Sequence, residues 1–290
     1  MSTVTPPAGT RIRRRPTARG GQSAKRLGRG FREPVRGAVT EAGEMAIFAT
    51  RAFREVPGAF RYSAEILRQT GIIITGSALV LVVMQFVMGM ECATEANYVL
   101  RGYGATSYSG VFTAFCGLRE MSPYMFGYII AAKIGCGLVA ELGSMRINNE
   151  FDAMESLGIN PMRYVVATRL IAAWIALPMI FMVGFAVHTL ADYLVIVLQI
   201  KEVSQGGWEG VHWAFIRPQD VLFAEIKIIV SGTLIVLVAM YYGFTAKGGP
   251  VGVGTATAKS MILNLVLIHL TGSLLTMVFW GLNPSTPVGG

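Results

Sequence analysis

The sequence predicts an all-α integral membrane protein: an N-terminal interfacial amphipathic helix, five transmembrane helices, and a short cytoplasmic coupling helix between spans 2 and 3. Three observations lead to this class. Hydrophobic residues make up 53% of the 290 residues and charged residues only 14%, whereas soluble domains carry about 25% charged residues. The apolar residues are gathered in blocks long enough to cross a bilayer. The positive charge is concentrated at the N-terminus, as expected of a segment kept on the cytoplasmic side.

The N-terminal segment, residues 1–40, is predicted to be a basic, disordered cytoplasmic tail, because it is rich in Pro, Gly, Ser and Arg and poor in large apolar residues. Residues 1–71 hold 14 Lys and Arg against 5 Asp and Glu. Two alternatives for the arginine-rich stretch are a nucleic-acid-binding arm and an organelle transit peptide. No folded nucleic-acid-binding module follows it, so we expect no nucleic-acid partner.

Residues 41–70 are predicted to form the interfacial helix region. Within Glu41–Val56, apolar residues recur every three or four positions, and Glu44, Arg51 and Arg54 lie on the opposite side. A helix of this length with a strongly polar face is expected to lie in the membrane interface rather than cross it. Pro57-Gly58 is predicted to end it.

The membrane domain is predicted to cover residues 71–282, followed by a short tail, 283–290. Its five spans are expected at about 72–90, 121–143, 164–190, 221–245 and 261–281. The third apolar block continues to Ile200 and is too long for one straight crossing. Either it tilts and kinks at Pro178, or its last turns project outward after Leu190, which would bring Asp192 near water.

The distribution of positive residues predicts a plasma-membrane protein with the N-terminus in the cytoplasm and the C-terminus outside. With that orientation the inner segments hold 19 Lys and Arg and the outer segments 4. Trp208, Trp213 and Trp280 would then form an aromatic belt on the outer side.

Catalytic motifs are absent from the sequence, so this chain is not expected to be an enzyme or to hydrolyse nucleotide by itself. The segment near Gly252 resembles a phosphate-binding loop only superficially, because Val253 and Ala258 stand where G-x-x-x-x-G-K-[ST] requires glycine. The three cysteines are too scattered to indicate a disulfide scaffold. We expect no cofactor or metal to be bound by this chain, so energy must come from a partner or a gradient.

The segment between spans 2 and 3 carries the sharpest signal. Ile147, Phe151 and Met154 lie on one side of a short helix, Gly158 is predicted to stop it, and acidic residues face a partner or water. An acidic amphipathic helix held between two spans has the form of a coupling helix that docks into a soluble subunit, although a plain connecting loop is the alternative. The predicted coupling residues are Asn149, Glu150, Phe151, Asp152, Met154, Glu155 and Leu157.

An ordered set of motifs over about residues 60–280 resembles the MlaE/YrbE permeases of ABC lipid transporters that work with MCE (mammalian cell entry) proteins. The motifs are Arg119-Glu-Met-Ser-Pro123, Ala132-Lys-Ile-Gly135, Glu141-Leu-Gly-Ser-Met145, Glu150-Phe-Asp-Ala-Met154, Leu157-Gly-Ile-Asn-Pro161, Arg169, Pro178, Tyr241–Gly249 and Gly252-Val-Gly254-x-Ala256. Two positions depart from the family pattern: Thr255 stands where many members carry Arg, and Gly272 where many carry Asp.

The resemblance implies specific partners. Cytoplasmic ABC ATPase subunits, which bind ATP and Mg, would dock on the helix matching Asn148–Leu157. A second permease subunit would enclose a lipid-binding cavity with this chain, and MCE-domain proteins on the outer side would form a tunnel for the lipid. Actinobacterial and mycobacterial YrbE permeases are commonly encoded as unequal pairs, so we expect a heterodimer.

Polar and small residues inside the spans are further candidates. Gln85, Glu91 and Lys133 are weak candidates for lining the lipid path; Lys133 and Lys227 would contact lipid headgroups or form ion pairs in the dimer, unless they reach toward an interface. Gly127, Ala131 and Gly135 form a line of small residues that predicts close helix packing.

The leading hypothesis is an ATP-driven lipid permease, and the lipid class is open between phospholipid, fatty or mycolic acid and sterol. The alternative is a gradient-driven carrier of lipid or another hydrophobic solute. It would need protonatable groups deep in the bundle, and Asp192, Glu225 and His269 are the candidates. An intramembrane enzyme or scaffold is the third possibility and has no supporting motif.

Overall fold

The computed structural model describes the backbone from Gly20 to Gly281 and the side chains from Gly37 onward. Throughout that part of the chain the regular elements are helical, and five helical segments are long and apolar enough to span a membrane, so the predicted fold class is confirmed. Residues 1–19 of the predicted basic tail and the predicted C-terminal tail, 283–290, lie outside the described residues. From Phe48 onward the described residues form one compact unit.

Eight helical segments follow one another along the described chain. They are α1 (Gly20–Ala59), α2 (Ser63–Arg101), α3 (Thr106–Ile147), α4 (Glu150–Ser156), α5 (Met162–Ile200), α6 (Gln205–Ala214), α7 (Pro218–Phe244) and α8 (Gly249–Trp280). The spans correspond to α2, α3, α5, α7 and α8, and α4 is the expected short helix between spans 2 and 3.

The helices extend further than the hydropathy predicted. Helix α2 continues past Met90 to Arg101, and α8 begins at Gly249 rather than near residue 261. An apolar block marks only the part of a helix inside the hydrocarbon, while the backbone hydrogen bonds continue into the interface, where polar side chains are tolerated. Helix α1 likewise begins at Gly20, so the prediction of disorder up to residue 40 is wrong for residues 20–40.

The end of α1 lies close to its predicted position. The helix ends at Ala59, two residues after Pro57, and a single 3₁₀ turn leads into α2. The Glu55 carboxylate accepts from Arg163 Nε at 2.7 Å, which fastens this end of α1 to the start of α5.

Helix α3 is continuous where a break was expected. Arg119-Glu120 and Ser122-Pro123 lie in and just after a π-helical turn, Phe115–Met121, and a second π-helical turn covers Ile130–Gly135. The wider turn shifts the hydrogen-bond register, so the missing N–H of Pro123 falls where the helix resumes. The predicted span 121–143 is therefore the inner part of a longer helix.

Helix α5 is one long helix that continues through Pro178, and Asp192 in its outer part is not exposed to water. Asp192 is fully buried, and its Oδ2 lies 3.7 Å from His188 Nε2. The reason is the packing of α2 along α5, the most extensive helix contact in the protein. At Gly89 the two backbones approach so closely that a Cβ would lie 2.3 Å from the His188 carbonyl oxygen. The expectation that Asp192 lies near water is wrong.

The predicted tryptophan belt is also wrong for two of its three members. Trp213 is 54% exposed, but Trp208 and Trp280 are buried. The Trp280 indole donates to Asp220 Oδ1 at 2.6 Å, and Trp208 stacks on His212 with ring centroids 4.5 Å apart. Both rings pack inside the protein instead of facing lipid headgroups, and the Trp280 N–H also pairs with a buried carboxylate.

Candidate functional site

The short helix α4, which the sequence predicts to be a coupling helix, is held between two well-defined turns. Asn149 precedes it in the left-handed conformation with φ 58°, and Gly158 follows it with φ 75°. The Ile159 N–H donates to the Met154 carbonyl at 2.9 Å, which closes the helix end as predicted for Gly158. The Met162 N–H then donates to Asn160 Oδ1 at 3.0 Å, so α5 begins directly after α4.

Two faces of α4 are clearly separated. Phe151 is buried and Met154 is partly buried. Glu150, Asp152 and Glu155 are exposed, and Leu157 is 76% exposed. Two of the carboxylates lie in the first turn, where the partial positive charge of the helix N-terminus stabilises them. The exposed surface therefore combines negative charge with one large apolar side chain.

The buried face of α4 belongs to a cluster of aromatic rings at the inner end of α7. Phe151 stacks on Phe244 with ring centroids 4.5 Å apart and an interplanar angle of 26°. Phe48 of α1 contacts the same Phe244 ring and Tyr241, each at 5.8 Å between centroids. The coupling helix is thus connected directly to α1 and α7.

The Gly-rich start of α8 packs close to this region. A Cβ at Gly252 would lie 1.7 Å from the Lys247 carbonyl oxygen, so only glycine fits. Gly143, near the end of α3, faces the Val253 side chain, which a Cβ there would meet at 2.8 Å. The resemblance to a phosphate loop is therefore explained by helix packing and the turn that starts α8.

The two departures from the family pattern have local structural explanations. Thr255 donates to the Gly252 carbonyl at 2.8 Å within its own helix. At Gly272 the space for a side chain is filled by the Tyr124 ring, which a Cβ would approach to 2.5 Å. An aspartate at that position would not fit beside this ring.

A groove between α2 and α3 forms a cavity of about 290 Å³ in the inner part of the bundle. Lys133 is exposed on its wall, and Glu141 and Arg169 lie at the same cavity. The walls are otherwise largely apolar, with Ile72, Ile73, Ile134, Leu138, Ala173 and Val236. Lys133 therefore lies on the wall of this cavity.

The other two lipid-path candidates lie elsewhere. Glu91 lines a larger outer cavity of about 710 Å³ beside Cys92 and Cys116. Gln85 is completely buried: its Nε2 donates to the Ser122 carbonyl at 3.0 Å, and its stem fills the space opposite Gly184. Gln85 therefore lies within the packed contact of α2, α3 and α5 and on neither cavity.

The line of small residues on α3 faces α7 and α8. A Cβ at Gly127 would meet Ile268 at 3.2 Å, and one at Gly135 would meet Asn264 and Ile235 at 3.5 and 3.6 Å. Ala131 between them is fully buried. These residues let α3 approach its neighbours closely.

Lys227 forms contacts within its own chain. Its buried ammonium donates to the Arg119 carbonyl and to Thr276 Oγ1, each at 2.7 Å, and lies 3.3 Å from Glu120 Oε2. The Tyr124 ring lies 4.7 Å away. The expectation that Lys227 contacts a lipid headgroup or a dimer partner, or reaches an interface, is wrong, because α3 and α8 satisfy its charge.

Two features near the outer end of the bundle were missed from the sequence. Cys92 and Cys116 form a disulfide between α2 and α3, with Cα atoms 6.1 Å apart. Arg119 pairs with buried Asp220 at 3.4 Å and lies over the Phe115 ring at 4.0 Å. The sequence analysis identified Arg119-Glu120 as part of a motif but did not predict the ion pair with Asp220. The spacing of the cysteines did not predict the disulfide.

Comparisons with known proteins match most of the chain. The family model described as permease MlaE matches residues 66–278. A protein of Rickettsia prowazekii named as a probable ABC transporter permease is 26% identical over 242 residues, 82% of this chain and 93% of the relative. The intermembrane phospholipid transport system permease protein MlaE of Haemophilus influenzae is 23% identical over 221 residues, 74% and 83% of the two chains. The chloroplastic protein TRIGALACTOSYLDIACYLGLYCEROL 1 of Arabidopsis thaliana is 32% identical over 166 residues, 56% and 46%. The family-model match contains α4 and all the residues that line the two cavities described above.

Proposed function

This chain belongs to the MlaE permease family, a family of lipid-transport permeases, and we propose that it is the membrane subunit of a transporter that moves lipid with ATP hydrolysed by a separate subunit. It is a multi-pass protein of the inner membrane and not itself an enzyme. The lipid, the partners and the coupling route described below belong to the proposal.

The observation that carries the proposal is the placement of α4. Its carboxylates and Leu157 face outward while Phe151 is buried against Phe244. A soluble ATPase that binds the exposed face would therefore displace a ring packed against the inner end of α7. Motion of the ATPase on nucleotide binding reaches α1 and α7 through the same ring cluster, since Phe48 contacts Phe244 as well.

A second permease subunit completes the lipid cavity in this proposal, and MCE-domain proteins continue the path on the outer side. Helix α8 offers an apolar surface for a partner helix, because exposed side chains recur along it every four residues. These are Ile262, Val266, Leu270 and Leu274. We propose that the second subunit is a paralogue.

The proposed orientation places the N-terminus and α4 in the cytoplasm. The disulfide supports it, since disulfides persist outside the reducing cytosol, and Cys92 and Cys116 lie at the ends of α2 and α3 away from α4. The excess of Lys and Arg in the segments on the α4 side supports the same orientation.

The test is charge reversal on α4. The variant Glu150→Lys/Asp152→Lys/Glu155→Lys is expected to lose co-purification of the ATPase and ATP-dependent lipid uptake. The matched control is Glu209→Lys on α6, a carboxylate far from α4 in the fold, which is expected to keep both. ATPase binding and uptake that survive the triple reversal would contradict the proposed coupling.

A gradient-driven carrier is the second candidate, and one observation favours it. Asp192 and His188 form a fully buried titratable pair on α5, and neither Asp192 oxygen has a hydrogen-bond partner among the described residues. Lipid uptake that collapses with an uncoupler while ATP is held constant would favour this candidate over the ATP-driven one.

A further inference from the structure

The groove between α2 and α3 is built from one stripe of each of these helices, and Arg169 and Ala173 of α5 and Val236 of α7 complete its wall. On α2 the stripe is Gln69, Ile72, Ile73, Gly76 and Ser77, and on α3 it is Lys133, Ile134, Gly137, Leu138 and Glu141. These spacings of three, four and seven residues place each set on a single helix face. The two stripes face each other and leave an elongated cavity with apolar walls.

The other charged side chains around this cavity form ion pairs with one another, and Lys133 is the exception among the described residues. Arg169 pairs with Glu141 and also donates to the Val165 carbonyl. At the inner edge, Glu65 pairs with Arg68 at 2.7 Å and accepts from Gln69 at 2.8 Å. Among the described residues no carboxylate pairs with Lys133. Glu141 on the same stripe lies about 12 Å further along the helix, too far for an ion pair.

The position of Lys133 makes an unpaired charge unfavourable. It lies in the π-helical turn Ile130–Gly135, well inside a membrane-spanning helix, where cations are expensive unless they meet an anion or water. A π-helical turn within a membrane helix is frequently found at a functional site. The cavity wall next to Lys133 is formed by Ile134 and Leu138, so an anion that carries an apolar group fits both features of this site.

We propose that this groove binds a membrane lipid with an anionic headgroup, phosphate or carboxylate, with the Lys133 ammonium as its counter-ion and the apolar stripes in contact with an acyl chain. This inference rests on the proposed function and narrows its substrate class. A zwitterionic lipid would place a second cation near Lys133. Repulsion between the two cations would make the binding free energy of its headgroup less favourable.

The experiment uses the complete transporter, purified in mixed-lipid nanodiscs with its partner subunits. Two fluorescent phospholipids with identical chains are compared, phosphatidylglycerol and phosphatidylcholine, together with a fluorescent fatty acid as the carboxylate. The variants are Lys133→Gln, Lys133→Arg and, as the matched control, Lys259→Gln, which removes an exposed lysine of α8.

Lys133→Gln is expected to lower the preference for phosphatidylglycerol over phosphatidylcholine about tenfold, the effect of losing one charge-assisted hydrogen bond. Lys133→Arg and Lys259→Gln are expected to keep the preference. A larger loss for the fatty acid than for phosphatidylglycerol identifies the carboxylate as the favoured anion, and the reverse identifies the phosphate. An unchanged preference in Lys133→Gln overturns the proposal.

Two further results keep the outcomes distinct. If Lys133→Gln dissociates the second permease subunit without changing the lipid preference, a partner carboxylate is the counter-ion and the proposal is overturned. If the variant does not assemble, photo-crosslinking of wild type with an anionic diazirine phospholipid decides: adducts on the α2 and α3 stripes support the proposal, and adducts elsewhere overturn it. ATP-dependent transport of neither lipid by wild type would contradict the proposed function itself.

Discussion

The ring of Phe151 on the coupling helix stacks on the ring of Phe244 at the inner end of α7, with centroids 4.5 Å apart. The two residues are separated by α5 and α6 in the sequence, so this contact connects the coupling helix to a distant span. Phe151 is 1% exposed. A rigid ring in a packed cluster transmits displacement, because a close-packed interior does not compress. The contact therefore gives α4 a direct packing connection to α7, in addition to its chain connections to α3 and α5.

The variant Phe151→Ala tests whether this connection is the coupling route. It is expected to lower the free energy of unfolding by about 3 kcal/mol and to reduce lipid uptake while ATPase co-purification persists, since the acidic face is untouched. Thermal unfolding in detergent and uptake assays measure the two effects. Leu157→Ala is the control for stability, because that side chain is 76% exposed. Normal uptake by a correctly assembled Phe151→Ala variant would contradict the route.

Lys227 is expected to be a structural residue. Lys227→Met removes the donor to the Arg119 carbonyl and to Thr276, leaving a buried acceptor unpaired. We expect the free energy of unfolding to fall by about 2 kcal/mol, measured by thermal unfolding in detergent. Lys259→Met, at an exposed lysine, is expected to have a small effect. Equal stability of the two variants would show that the interior contacts of Lys227 contribute nothing.

The Cys92–Cys116 bridge is expected to stabilise the outer ends of α2 and α3. Cys92→Ser/Cys116→Ser should lower the free energy of unfolding by about 3 kcal/mol, since the bridge closes a loop of 24 residues. Cys136→Ser, which removes the free thiol, should leave the bridge intact. In intact cells, a membrane-impermeant reductant followed by an impermeant maleimide should label two new thiols. If reduction produced no new labelling, the result would contradict either the disulfide or its proposed location on the non-cytoplasmic side of the membrane.

His212 makes the outer region sensitive to acid. Burial against Trp208 lowers the pKa of His212 to about 4, and its Nδ1 lies 3.0 Å from Thr113 Oγ1. A depressed pKa means that the folded protein disfavours the protonated form. Stability is therefore complete above the ordinary pKa near 6.5 and declines as the pH falls toward 4, by about 3 kcal/mol at pH 4.

The measurement is thermal unfolding between pH 7.5 and 4.5 for wild type and His212→Asn. The variant is expected to be less stable at pH 7.5 but to show a flatter decline with acid. Parallel curves for the two proteins would exclude His212 as the source of the pH dependence.

The sequence predicted the number of spans and the short helix between spans 2 and 3 correctly, because both depend on local order. A bilayer accepts only helices whose backbone groups are bonded internally, so an apolar block of sufficient length has one outcome. The periodicity of Phe151 and Met154 similarly identified the buried side of α4. The limits of the helices were less accurate, since a helix such as α2 continues past its apolar block into the interface.

The residues that bind to one another across the bundle could not be predicted in this way. Lys227 was expected to face lipid or a partner subunit, but its partner Glu120 lies 107 residues earlier in the chain. Asp192 was expected near water, but α2 covers it. In both cases the outcome depends on how neighbouring helices are rotated and offset along their axes, which hydropathy does not encode.

What the sequence alone determined is therefore the class of the protein, its five crossings and the acidic helix between the second and third, because residue order and the bilayer suffice for these. Only the tertiary structure decided that Phe151 meets Phe244, that Cys92 is bridged to Cys116 and that Lys133 faces a largely apolar groove with no carboxylate partner among the described residues. Each of these depends on the packing of helices distant in sequence, where close-packed side chains and the need to pair buried charges select one arrangement.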